Sequence, residues 1–201
     1  MTQTSARKLT CRMLLALAGA AAMTVPAAAT TASAAEAAPR RGCVVVYFDL
    51  GETLVHTADD NSVRYVPRAA EHLRALRARH IPVGLITNVP SAWGATDAAR
   101  AAELKKVIGK DWKGSGPFAW ADFGDRIFTP RTEAERKPAP ALWDRARQAA
   151  GRCRVVYEAE TTGEVRTARS LGYVAYQVNR PSWPAYMPVP LIAALAHIPH
   201  R

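Results

Sequence analysis

Five apolar residues, Val44-Val45-Val46-Tyr47-Phe48, end at a single carboxylate, Asp49, and the chain turns at once through Leu50-Gly51-Glu52-Thr53-Leu54. A buried strand that delivers an acid to its own C-terminal end places it where open α/β sheets bind ligands. A carboxylate there can attack an electrophile or hold a metal ion. Further along stand Thr87, closing the run Val83-Gly84-Leu85-Ile86 with Asn88 beyond it, and Lys137, just ahead of a helix-like stretch. Glu160 and Glu164 follow the run that ends at Tyr157. Singly these positions are ambiguous: a hydroxyl can simply close a strand, and acids favour helix starts because of the helix dipole. A lysine at a helix start is disfavoured by the same dipole, which points Lys137 towards a specific role.

The elements that must position these groups alternate between strand-like and helix-like stretches, the pattern of βαβ units around a parallel sheet. Strands are expected at 43–48, 83–87, 126–128, 155–157 and 173–178. Helices are expected at 66–79, with Ala70, Leu73, Leu76 and Ala78 as an apolar stripe, and at 95–108, 138–150, 164–171 and 191–198. Residues 52–66 read as a polar loop, and 110–125 as an ordered surface loop carrying Trp112, Phe118 and Trp120.

In this order and context the segments resemble the motifs of the haloacid dehalogenase (HAD) superfamily. Asp49-Leu50-Gly51-Glu52-Thr53-Leu54 is similar to the family's Asp-x-Asp-Gly-Thr-Leu, with Gly51 in place of the second Asp. Thr87 matches the strand-ending Ser/Thr, and Arg136-Lys137-Pro138-Ala139-Pro140 the Lys-Pro-x-Pro stretch. Glu160 and Glu164 fall on or beside the family's acidic positions, with Ala159 at the other common Asp site. The resemblance covers nearly all of 43–180. It implies an α/β, Rossmannoid three-layer sandwich with a parallel sheet in the order 5-4-1-2-3, and the short connections leave no room for a sizeable cap.

It further implies a Mg²⁺-dependent phosphohydrolase that works through an aspartyl-phosphate. Asp49, Thr87 and Lys137 would be catalytic, and Thr87, Asn88 and Lys137 would touch the phosphorylated substrate. Asp49, the Gly51 carbonyl, Glu160 and Glu164 would hold the metal. Gly51 cannot act as the general acid–base that the second Asp supplies, a contribution typically worth about 10²–10⁴-fold. Activity is therefore expected to be weak, or confined to good leaving groups. Two other readings stay open. One is a degenerate HAD-like domain that binds a partner, through Trp112, Phe118 and Trp120. The other is a metal-independent haloacid dehalogenase, whose helical cap this chain has too little length to build.

The family's strand order makes the first and fourth strands neighbours. Cys43 precedes Asp49 by six residues and Cys153 precedes Glu160 by seven, so the resemblance implies a structural Cys43–Cys153 disulfide at the far end of both strands. Export fits such a bond. Arg7, Lys8 and Arg12, the apolar stretch Met13 to Val25 and Ala32-Ser33-Ala34 form the pattern of a secretory signal peptide. The expected division is therefore a leader over 1–35, a linker over 36–42 and a hydrolase domain over 43–201, secreted or extracytoplasmic. No membrane span is expected once the leader is removed. Loss of its three basic residues lowers the formal charge from +10 to +7. That excess favours anionic partners, but the arginines are scattered and no nucleic-acid motif is present, so nucleic acid is not expected. An oligomer is compatible with the reading.

Overall fold

The computed structural model describes residues 42–198; the expected leader lies outside them. The first strand, β1 (Val44–Phe48), is buried along its whole length. An uninterrupted apolar run suits a parallel strand covered on both faces. It sits at the centre of a five-stranded sheet with β4 (Val83–Ile86), β5 (Ile127–Phe128), β6 (Arg154–Ala159) and β7 (Val174–Gln177), in the order β5-β4-β1-β6-β7 and parallel at every pairing. The expected label 5-4-1-2-3 does not carry over to this numbering, because two short strands that were read as loop now enter it. These are β2 (Val55–Thr57) and β3 (Val63–Tyr65), which form an antiparallel hairpin directly after the Asp49 turn. At three residues each they are too short for alternation to stand out from loop composition. The hairpin turn is closed by Asp60, whose carboxylate accepts the Ser62 N–H at 2.9 Å.

Side chains alternate across β1. Val44, Val46 and Phe48 enter one apolar layer, and Val45 and Tyr47 the other. The first layer is completed by α1 (Ala69–Ala78), α2 (Asp97–Asp111) and α5 (Val189–Leu195). The second is completed by α3 (Ala141–Ala150) and α4 (Thr162–Ser170). Helix, sheet and helix thus make three layers.

Several boundaries moved for local reasons. Helix α1 begins at Ala69 because Arg68 takes a left-handed backbone (φ 72°). Helix α3 begins at Ala141, three residues later than expected, with Pro140 as the residue that precedes its first turn. Strand β6 continues to Ala159, two residues beyond expectation, because Glu158 is buried in spite of its charge.

At the N-terminal end of the sheet Val44 pairs with Arg154, and the neighbouring Cys43 and Cys153 are joined by a disulfide with their Cα atoms 4.6 Å apart. Among the described residues no helix is long and apolar enough to cross a membrane.

Candidate active site

Asp49 leaves the C-terminal end of β1 with its N–H donating to the Glu158 carbonyl at 3.0 Å, so the ladder to β6 extends one step past the strand. Its side chain is 16% exposed and meets Lys137, which is 2% exposed. The ammonium Nζ donates to Asp49 Oδ1 at 2.5 Å, to Glu164 Oε2 at 2.7 Å and to the Tyr157 hydroxyl at 3.2 Å. Tyr157 O–H donates in turn to Glu164 Oε2 at 2.5 Å. Three elements converge here: the end of β1, the segment before α3, and β6 running into α4. The cation is held from behind by Asn88, whose Oδ1 accepts the Lys137 N–H at 2.9 Å while its Nδ2 donates to the Lys137 carbonyl at 3.3 Å.

Negative charge exceeds positive charge in this cluster. Burial pushes the Asp49 carboxyl above its ordinary range; Lys137 draws it down and Glu164 pushes it up again. The Leu50 N–H also donates towards it. Burial, followed by the nearby charges of Asp49, Glu164 and Glu52, raises Glu160 as well. Tyr157 is raised well above its usual value by burial and then by Asp49 and Glu164, so it stays a protonated donor at neutral pH.

Glu164, expected to hold metal, has its Oε2 bonded by Lys137 and Tyr157. Asn88, expected at the substrate, has its amide committed to the Lys137 backbone. Thr87 lies at the sheet edge, with its N–H donating to the Phe128 carbonyl at 3.1 Å. The residue is 5% exposed. Glu160 has its N–H bonded to Thr53 Oγ1 and its carbonyl to Gln177 Nε2, each at 3.0 Å, while its carboxylate carries no hydrogen bond among the described residues. Gly51 bridges to Val55, and a Cβ built on it would meet no atom within 4 Å. Glu52 takes a left-handed turn (φ 51°) and faces outward to His56 Nδ1 at 2.8 Å, so its carboxylate is occupied away from Asp49.

Among the described residues no three Asp, Glu, His or Cys side chains are grouped to chelate an ion. Mg²⁺, however, is commonly held by one or two carboxylates, with water and substrate phosphate completing the shell. Asp49, the Gly51 carbonyl and Glu160 offer oxygen donors of the kind such an ion would need, and Asp49 and Glu164 each raise the Glu160 carboxyl.

Sequence reasoning missed Tyr157 and a second polar pair beneath the site. Glu158 is fully buried and accepts from His72 Nε2 at 3.2 Å and from the Met187 N–H at 3.3 Å. The His72 ring stacks on Tyr186 at 4.7 Å, and the Tyr186 hydroxyl reaches the Thr53 carbonyl at 2.5 Å. A carboxylate in the middle of an apolar strand was the available signal, and it was read as the start of a loop. The three aromatics of 110–125 pack on one another, with Trp112 and Trp120 half-buried. Phe118 is buried and packs with Tyr65, Trp112 and Trp120 at centroid distances of 5.1, 5.5 and 4.4 Å.

No family model matches the chain, and no curated protein does. Several solved structures are similar. One is an uncharacterized protein from Listeria monocytogenes serotype 4b (15% identity, 73% of this chain and 88% of that chain, TM-score 0.45). Another is a putative HAD-like phosphatase from Mesorhizobium loti (14%, 78% and 85%, TM-score 0.44). A third is an L-2-haloacid dehalogenase (19%, 62% and 48%, TM-score 0.43).

Proposed function

We propose that this chain is an extracytoplasmic HAD-type phosphohydrolase, with Asp49 as nucleophile. The observation that carries the reading is the convergence of Asp49, Lys137, Tyr157 and Glu164 at the C-terminal edge of a parallel sheet, with 88 residues between the two members of the central ion pair. A carboxylate oxygen of Asp49 attacks phosphorus and the bond to the leaving-group oxygen breaks, giving an aspartyl-phosphate. Water then attacks phosphorus, releasing phosphate and restoring the carboxylate. Lys137 holds Asp49 ionised and in place, and its charge stabilises the equatorial oxygens of the transferring group. The Thr87 hydroxyl donates to one of those oxygens. Asp49, the Gly51 carbonyl and Glu160 would hold Mg²⁺, which when bound neutralises charge on the phosphoryl oxygens. The leaving oxygen departs without a proton from position 51, so aryl and other good leaving groups are favoured. The disulfide and the leader-like N-terminal sequence support the extracytoplasmic setting.

Release of nitrophenol from p-nitrophenyl phosphate, with and without Mg²⁺, tests this beside Asp49→Asn. The reading expects turnover that the substitution abolishes and that Mg²⁺ raises. Equal rates from both proteins would overturn it in favour of a degenerate binding domain. Metal-free halide release from a chloroalkanoic acid would replace it with dehalogenation.

A further inference from the structure

A second candidate site adjoins the first. Helix α4, the end of β7 and the loop after it enclose a cleft of about 530 Å³. Thr162, Arg166 and Arg169 line it from the helix, at the i, i+4 and i+7 spacing that forms one helical face. Arg180 and Trp183 line it from the loop, and Gln177 from the strand end. Among the described residues no acidic residue lines it, and none of the three arginines pairs with a carboxylate. Arg169 is braced by two bonds to the Ala175 carbonyl, at 3.2 and 3.0 Å. Arg180 lies over the Trp183 ring, 5.2 Å from its centroid, and that ring is 57% exposed. A large exposed indole beside unpaired guanidinium groups suits a planar, anionic ligand, because arginine both stacks and bonds phosphate or carboxylate in a fork.

The cleft is joined to the Asp49 site by side chains. Gln177 donates to the Glu160 carbonyl at 3.0 Å, and Thr162 Oγ1 bonds Gln177 Oε1 at 3.2 Å. From Thr162 to Arg169 the helix advances roughly 10 Å at 1.5 Å per residue. We infer that this cleft receives the leaving-group end of the substrate, a planar ring carrying a second anionic group, while the transferred phosphoryl group sits at Asp49 and Lys137. The assignment rests on the phosphohydrolase reading for its other half.

Adenosine 5′-diphosphate is a suitable probe, with inorganic phosphate and p-nitrophenyl phosphate as controls that lack the second anionic group. It is titrated calorimetrically into the full chain carrying Asp49→Asn, to prevent turnover, and into the same protein with Arg166→Ala plus Arg180→Ala or with Trp183→Ala. All three side chains are exposed, and thermal melting verifies folding. Each variant is expected to weaken the diphosphate by about tenfold or more, the scale of a lost charge-assisted contact, and to leave inorganic phosphate unchanged. Unaltered diphosphate affinity, absence of diphosphate binding, or an equal loss for inorganic phosphate would each remove the proposal. Turnover of p-nitrophenyl phosphate by protein with Asp49 intact judges the hydrolase reading separately. Its failure leaves the titration to judge the cleft alone.

Discussion

Asn88 and Lys137 exchange hydrogen bonds in both directions, side-chain amide to backbone, across 49 residues of sequence. The amide thereby fixes the backbone from which the ammonium reaches Asp49. Asn88→Ala removes both bonds, and the expected result is a large fall in kcat for p-nitrophenyl phosphate with a smaller change in KM. Loss of the two bonds is worth about 1–3 kcal/mol of stability. Asn88→Asp keeps the acceptor for the Lys137 N–H and is expected to recover part of both. Unchanged kcat in Asn88→Ala would show that Lys137 is positioned without it.

Lys137 is the shared counter-ion of Asp49 and Glu164. Replacing it with Met leaves two close carboxylates facing each other in a largely buried place, and breaking such a pair costs about 3–5 kcal/mol. The double variant Lys137→Met/Glu164→Gln should regain a substantial part of that loss, since one of the two repelling charges is gone. Denaturant unfolding of the four proteins of the cycle measures the coupling, and strict additivity would contradict the shared-ion arrangement.

Position 51 has room for a side chain. Gly51→Asp is expected to fold with little change in melting temperature, because its Cβ meets no atom within 4 Å. A carboxyl there can protonate the leaving oxygen, so hydrolysis of alkyl phosphates should rise by up to about 10²–10⁴-fold, with a smaller effect on aryl phosphates. Comparing kcat/KM on one ester of each kind reads the difference. An equal gain on both would assign the effect to something other than proton donation.

Asp97 gives a pH-dependent handle away from the site. Burial opposes its charge, but hydrogen bonds from Arg145 and Arg100 outweigh that and hold its carboxyl below the ordinary value of 3.8. A depressed folded-state value means that the ionised carboxylate stabilises the fold above that ordinary value, and that this contribution is lost as pH falls through the folded value. Asp97→Asn should therefore be less stable at pH 7, by about 1–3 kcal/mol for bonds to charged partners. The two proteins should converge only in strong acid, below the ordinary value. Chemical unfolding across that range tests the sign; a gap that widened on acidification would refute it.

The strands of the sheet were legible because apolar runs bounded by polar turns leave few alternatives. Motif order put Asp49, Thr87, Lys137 and Glu160 at one edge of the sheet, and Asp49 does meet Lys137 there; that Glu164 is the second carboxylate on the ammonium comes from the contact alone. The other partners of those residues were not legible. Tyr157 looked like ordinary strand filling, and only its register opposite Tyr47 and its reach to Glu164 reveal a polar task. Glu164, expected among the metal ligands, also bonds a buried ammonium, a contact that motif order does not encode. Glu158 and His72, 86 residues apart, satisfy each other in the core, a long-range pairing that no local pattern encodes. The hairpin β2–β3 was missed because three-residue strands are defined by pairing more than by composition.

The Cys43–Cys153 bond lies at the opposite pole of the sheet from Asp49, with the paired positions of β1 and β6 between them. Thiol chemistry is thereby kept apart from the proposed phosphoryl chemistry at Asp49. A reducing agent acts on the floor of these two strands, while the residues at their roof stay braced by Tyr157, Asn88 and Thr53. On the proposed reading, durability under harsh conditions and turnover would therefore be adjusted at opposite ends of the same two strands, one by cysteine substitution and the other by changes around Lys137.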